Sequence, residues 1–446
     1  MARGAPRGGA ISIATRQKMK RFIIILLLLP LSLLAQNVTV TGRVNRPEAL
    51  VRLMVYDDLL NLHEVPVAET TADAKGFFIL EGTVNQISPA ILNIGLDGVD
   101  FVVTPNATYD VQIAVPEVDP SLSYFERPLP ALRVKTATDK GLYRQLVISD
   151  EIVDDYVLNY FDELFRRRQY RYLDSIRAAI DRELDITDDY VLQSNAYKIA
   201  SVQMAVNADG GKKVIQEYYD GKPVLYRCQS YMDLFKDLFK NYELTDEFAR
   251  RNPELTDLVN IYQLRGLYYE DYQSRNWVKK QLQSIHQKSK SSEIKTLVAN
   301  TLERFDRFAQ GADAPDFELQ SSEGSTVKLS DYKNTMVLLQ FVDGSSRTVE
   351  HQFETLADLH HQWQDSVQLI TVSTKDQFSF YRKCFDEHRY DWPLLNLGND
   401  ILLLERYEVR TFPEYFLILP GTKIGLAPAP NPDRTLRENV TKLLKK

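Results

Sequence analysis

Val337-Leu338-Leu339-Gln340-Phe341-Val342-Asp343-Gly344-Ser345-Ser346-Arg347-Thr348-Val349-Glu350 decides how the end of this chain is read. An apolar strand, Met336 to Phe341, runs into a small polar turn, and the pattern from there to Leu356 is helical. The neighbouring segments extend that reading. Ala314-Pro315-Asp316-Phe317-Glu318-Leu319 precedes the polar turn Ser321-Ser322-Glu323-Gly324-Ser325, and Thr326-Val327-Lys328-Leu329-Ser330-Asp331-Tyr332 follows it. A second buried strand is expected at Val367-Gln368-Leu369-Ile370-Thr371-Val372-Ser373. Near the end stands Tyr407-Glu408-Val409-Arg410-Thr411-Phe412-Pro413-Glu414-Tyr415-Phe416-Leu417-Ile418.

This order resembles the TlpA-like periplasmic thiol-disulfide oxidoreductase branch, AhpC/TSA-related, of the thioredoxin superfamily. The resemblance implies a W-C-x-x-C-R turn after the strand at Leu338–Phe341. By position its two cysteines fall at Ser346 and Val349, so the redox motif is absent. Phe412-Pro413 matches the family's cis-proline position, in a loop that faces the dithiol and pairs with extended substrates. The resemblance therefore marks Ser345, Ser346, Arg347, Thr348, Phe412 and Pro413 as the border of a shallow peptide-binding groove.

The missing thiols exclude the family's chemistry at this turn. Thiol–disulfide exchange proceeds through a thiolate and a mixed disulfide. A serine hydroxyl forms no such intermediate, and valine carries no nucleophile. The chain holds two cysteines, Cys228 and Cys384, far apart in sequence. Helical spacing puts Tyr381, Cys384, Phe385 and His388 on one face. Buried structural thiols, an interdomain disulfide in an oxidising compartment and a solitary reactive Cys384 all stay open at this point.

Lys18-Met19-Lys20-Arg21 followed by the apolar run from Phe22 to Ala35 reads as a secretory signal peptide, with Met19 as the true start. The mature protein is expected to begin near Gln36, with no lipid or transmembrane anchor, in the periplasm of a Gram-negative-type cell. A net charge of −7 over 446 residues argues against nucleic acid as a partner.

The expected fold class is multi-domain α+β. After the signal peptide (1–35) come a β-sandwich (36–115), a proline-marked linker (116–140), a helical domain (141–310) and a thioredoxin-like α/β domain (311–446). Strands are expected at Phe77–Leu80, Ala90–Ile94, Phe101–Val103 and Tyr109–Ile113, with a turn at Asp73-Ala74-Lys75-Gly76. The last helix is expected to take its cap from Asn431.

Other clusters read as structure. Asp162 and Glu163 stand four residues before Arg166 and Arg167, the spacing of a solvated helix face. His351 and His360 are about two and a half helical turns apart and point to opposite faces. No metal or cofactor is therefore implied. Tyr268-Tyr269-Glu270-Asp271-Tyr272 with Trp277 reads as packing, with sugar stacking as the sharper alternative. The favoured function is a non-catalytic binding or assembly module for a periplasmic or envelope protein or peptide. The alternatives are an oxidoreductase acting through Cys384 or a partner's dithiol, and a carbohydrate- or envelope-associated structural protein.

Overall fold

The computed structural model describes residues 37–95, 97–117, 128–206, 211–344, 347–363, 366–398, 400, 402–409 and 411–444. The expected signal peptide at 1–35 lies outside the described residues.

The first part forms two four-stranded sheets. Its strands are β1 (Val38–Val44), β2 (Leu50–Asp58), β3 (His63–Thr71), β4 (Phe77–Gly82), β5 (Ser88–Ile94), β6 (Asp97–Val103), β7 (Ala107–Ala114) and β8 (Ala131–Ala137). The sheet orders are β4-β1-β7-β8 and β3-β2-β5-β6. Alternate residues Val38, Val40, Tyr109 and Val111 meet Leu53, Leu92 and Phe101 of the other sheet in one buried cluster. Period-two alternation sends one set of side chains inward and leaves the other set outside. At the β3–β4 turn Gly76 has φ +80°, and an added Cβ would lie 2.0 Å from the Val44 carbonyl oxygen. Only glycine fits there.

Three strands depart from the sequence expectation. Residues 131–137, assigned to the linker, form β8 and pair antiparallel with β7. The prolines stop at Pro130, and Leu132 and Val134 then pack against the sheet core on alternate positions. β2 and β3 were not foreseen. β2 is buried on consecutive positions, so it lacks alternation. β3 carries Pro66, which sits at a register shift on an edge strand, where proline is tolerated.

The hairpin joining β2 to β3 does not end in solvent. Leu59 and Leu60 are buried in the apolar core of the helices that follow. A buried turn must satisfy its own polar groups. Asp58 does this: its Oδ1 accepts from the backbone N–H of Leu60 and of Asn61, each at 2.9 Å. Its Oδ2 accepts from Asn61 Nδ2 at 2.6 Å. Asn61 Nδ2 also reaches Thr301 Oγ1 at 3.0 Å.

The helices are α1 (Leu142–Asn159), α2 (Arg171–Glu183), α3 (Asp189–Val206), α4 (Gln229–Phe239), α5 (Asp246–Arg251), α6 (Pro253–Glu270), α7 (Arg275–Lys288) and α8 (Ser292–Arg307). Tyr219, Tyr231, Phe235 and Phe239 interlock at their centre, with centroid separations of 4.8–5.3 Å.

The carboxy-terminal part is a seven-stranded sheet of order β10-β9-β13-β12-β11-β14-β15. The strands are β9 (Glu318–Ser321), β10 (Thr326–Lys328), β11 (Met336–Val342), β12 (Val367–Ser373), β13 (Leu394–Asn396), β14 (Glu414–Leu419) and β15 (Lys423–Ala429). The helices are α9 (Arg347–Trp363), α10 (Phe378–His388), α11 (Leu402–Arg406) and α12 (Arg434–Leu444). β11 pairs parallel with β12 and antiparallel with β14. β11 is buried at every position, as a central strand covered on both faces must be. Asp433, not Asn431, caps α12: its carboxylate accepts from the N–H of Thr435 at 2.7 Å and of Leu436 at 3.2 Å. The helix starts two residues later than the proline suggested.

Replacing Asp58 by Ala would strip several buried donors of their acceptor at once. We expect Asp58→Ala to cost about 2–4 kcal/mol in urea unfolding, with Asp58→Asn costing less. A loss below about 0.5 kcal/mol would show that the buried turn does not depend on this carboxylate.

Candidate functional site

The antiparallel register sets Phe341 of β11 opposite Glu414 of β14. Val342 and Pro413, the next residues along each strand, therefore lie at the same end of the sheet. The Phe412–Pro413 peptide bond there is cis. The described part of α9 runs from Arg347 to Trp363, and Val349 stands at its beginning. Ser345 and Ser346 lie outside the described residues, while Arg347 and Thr348 are the first described residues of α9. Phe412 and Pro413 are half-buried, and Phe412 packs against the cluster that holds Phe341, Tyr407 and Phe416.

Val349 is only 4% exposed and packs with Phe353, Leu356 and Tyr415. The approach to the turn is tied down from α10 and β12. The Tyr381 hydroxyl donates to the Gly344 carbonyl, and the Thr374 hydroxyl donates to the Asp343 carboxylate.

Gln340 is a polar residue in the middle of the apolar strand, 2% exposed. A chain of hydrogen bonds satisfies it. Trp392 Nε1 donates to the Thr371 hydroxyl at 3.0 Å, and that hydroxyl donates to Gln340 Oε1 at 3.0 Å. Gln340 Nε2 donates to the Tyr415 hydroxyl at 2.9 Å, which donates to Gln352 Oε1 at 2.9 Å. Burial holds the Tyr415 phenol above its usual pKa, so it stays a donor. A fully satisfied buried network of this kind fixes the mutual position of β11, β12, β14 and α9.

Neither cysteine is in a disulfide. Cys228 is buried in the helical core, and burial pushes its thiol up to about 11. Cys384 is half-buried on α10, its Sγ 3.8 Å from His388 Nδ1. Tyr381 and Phe385 on the same helix are buried, whereas His388 is exposed and stacks on Tyr390.

The histidines do not converge. His351 is exposed and meets Glu354 at 3.3 Å, while the mostly buried His360 meets Asp391 at 3.3 Å. Among the described residues, no group of three or more His, Cys, Asp or Glu is placed to hold a metal ion. Arg166 and Arg167 pair with Asp162 and Glu163 on an exposed face. Tyr268 is buried and stacks flat on Phe305, centroids 3.5 Å apart. Its face is thus committed to packing.

A charged group missed by sequence reading lies beside Phe412. Glu408 accepts from Arg304 Nε at 2.7 Å and from Arg307 Nη1 at 3.0 Å. Glu405 receives the guanidinium fork of Arg52, one arm at 2.9 Å. Glu408 stands just past α11 with a left-handed φ of 52°, a conformation uncommon outside glycine. Arg304 and Arg307 stand three apart on α8, which marks a shared helix face. Nothing in the sequence names their partners, about a hundred residues away.

Comparison with known proteins places the carboxy-terminal part. Residues 310–426 match the AhpC/TSA family model. The thiol-disulfide oxidoreductase ResA of Bacillus subtilis (strain 168) is 26% identical over 117 residues, which are 26% of this chain and 65% of that protein. The chain thus spans less than two thirds of that relative's length. A solved thioredoxin domain of a thiol-disulfide oxidoreductase from Bacteroides vulgatus is 25% identical, covering 30% of this chain and 98% of its own, with a TM-score of 0.28. A thiol:disulfide interchange protein from Bacteroides sp. is 24% identical, covering 31% of this chain and 92% of its own, with a TM-score of 0.29. Residues 310–426, with their family match and the strand order around β11, are a domain of the thioredoxin superfamily, of the TlpA-like, AhpC/TSA-related branch.

Proposed function

We propose that this protein is a non-catalytic binding or assembly module, exported to the periplasm and built on a thiol-disulfide oxidoreductase scaffold. The observation that carries the reading is the sulfur-free turn between β11 and α9, with Val349 packed into the core where the resemblance puts a cysteine. Exchange chemistry needs a thiolate, and a resolving thiol beside it speeds release of the mixed disulfide. The chain's two thiols offer no such pair. Cys228 belongs to the helical core, and Cys384 lies on α10 with no second cysteine beside it.

In this reading the two amino-terminal sheets are a β-sandwich, the helices from residue 141 to 310 a separate domain, and 311–446 the thioredoxin-like domain. The cis-proline end of β14, with Ser345, Ser346, Arg347, Thr348, Phe412 and Pro413, is the groove for an extended peptide of a periplasmic or envelope partner. The signal peptide at 1–35 delivers the protein there. No helix among the described residues is long and apolar enough to cross a membrane.

A second reading draws on the half-buried Cys384 beside His388, which would act with a thiol from a partner. One assay separates the two. The purified protein should reduce a model disulfide protein no faster than buffer does. Thiol-dependent turnover that Cys384→Ser abolishes would replace the binding reading with the redox one.

The two thiols should also separate chemically. At pH 8 iodoacetamide should label Cys384 in the native protein and reach Cys228 only after denaturation, because Cys228 is 3% exposed and its thiol is held protonated. Peptide mass spectrometry reads this directly. Equal native labelling of both would show that the helical core opens readily.

A further inference from the structure

A cavity of about 500 Å³ opens where the amino-terminal sheets, α8 and the thioredoxin-like domain meet. Its volume falls in the range of built ligand sites. One wall is the face of β2 and β5 that carries Arg52, Met54 and Asn93, and Arg52 stands directly across from Asn93 in the strand register. The second wall is α8, with Asn300, Arg304 and Arg307 at helical spacing. The third wall comes from the thioredoxin-like domain: Glu405, Glu408, Val409 and Phe412. Phe412 is also the residue before the cis proline, so the cavity adjoins the proposed groove.

Three features of the lining select a ligand class. Charge is nearly balanced, with the guanidinium groups of Arg52, Arg304 and Arg307 facing the carboxylates of Glu64, Glu303, Glu405 and Glu408. A strongly anionic or cationic ligand would meet repulsion as well as attraction. Arg52 is 5% exposed, and its Nε is buried with no hydrogen-bond partner even though the rest of its fork holds Glu405. A buried N–H of this kind costs free energy until an acceptor arrives. Apolar side chains, Met54, Val409 and Phe412, alternate with these polar groups around the wall.

We propose that this cavity receives a short, extended, uncharged or mixed-charge segment of polypeptide from a client protein. A small shift of Arg52 toward the cavity lets a backbone carbonyl accept from its buried Nε, and apolar side chains of the segment rest on Met54, Val409 and Phe412. The proposal rests on the binding-module reading and assigns the client's second contact to the three-part junction. A glycan is a poorer fit, because sugars stack on broad aromatic faces and, among the described residues, His63 and Phe412 are the aromatic rings of this lining. Tyr268 and Tyr269 line a separate cavity of about 170 Å³ on the other side of the Arg304–Glu408 pair.

The test uses the whole protein and fluorescein-labelled, S-carbamidomethylated α-lactalbumin, which stays unfolded, read by anisotropy. Asn93→Trp and Glu303→Trp each fill the cavity from a different wall and leave the Arg52–Glu405 and Arg304–Glu408 pairs in place. Thermal melts confirm that each variant is folded, and one folded variant suffices. Binding by the wild type that weakens about tenfold or more in the filled variants supports the proposal. Undiminished binding in a folded filled variant overturns it and leaves the binding-module reading standing. Absence of wild-type binding overturns both. Binding of chitohexaose that the filled variants lose, with the polypeptide unaffected, assigns the cavity to a glycan and also overturns the proposal.

Discussion

The burial of one hairpin tip sets the relation of the first half of the molecule to the rest. Loops normally run over a protein's surface because their backbone groups need water. The turn between β2 and β3 instead inserts Leu59 and Leu60 into the helical core. Asp58 and Asn61, both almost fully buried, replace the lost water with hydrogen bonds inside the turn and to α8. Arg265 and Arg304 add donors to the carbonyls of Leu60 and Asn61. The apolar side chains supply the driving force and the polar ones remove its penalty. Because the tip is held, the sheet behind it is held too, and Arg52 reaches Glu405.

That second contact closes the junction. Arg52 is nearly buried while its partner Glu405 is half-exposed, and the hydrogen bonds to Glu405 outweigh burial in holding the guanidinium's pKa above its usual value. Arg304 and Glu408 are both mostly buried. Buried pairs of this kind gain little net stability over apolar packing, but breaking one strands a charge. Their structural effect is orientation. Arginine forks fix direction as well as distance, so the amino-terminal sheet and α8 each hold the end of α11 at a defined angle. Glu408 does this from a left-handed backbone position just past α11, where its carboxylate receives two arginines.

The sequence was most legible where one local signal decides one local outcome. Met336–Val342 is uniformly apolar apart from Gln340, and it is the central strand. Phe412-Pro413 stood out because the surrounding order resembled a known family. The amino-terminal sheets were legible at short apolar runs set off by turn signals. β2 escaped because both of its faces are covered, β3 because Pro66 breaks its pattern, and β8 because upstream prolines drew the reading toward a linker. The junction was not legible at all. Arg52, Arg304 and their glutamate partners are ordinary surface residue types, and only tertiary structure brings Arg52 to Glu405 across 353 positions and Arg304 to Glu408 across about a hundred.

The same logic bears on the proposed reading of a redox scaffold without its dithiol. The fold around β11 depends on the Gln340 network, on Tyr381 holding Gly344 and on the apolar layer that includes Val349. None of these interactions needs sulfur. A valine at the beginning of α9 adds apolar burial where a thiol would add a weakly polar group, so the substitution is neutral or favourable to packing. The chemistry of the family is concentrated in two atoms, whereas its architecture is spread over dozens of contacts. On the proposed reading the former is gone, while the packing contacts described here do not depend on it. On that reading fold and function separate because they rest on different residues.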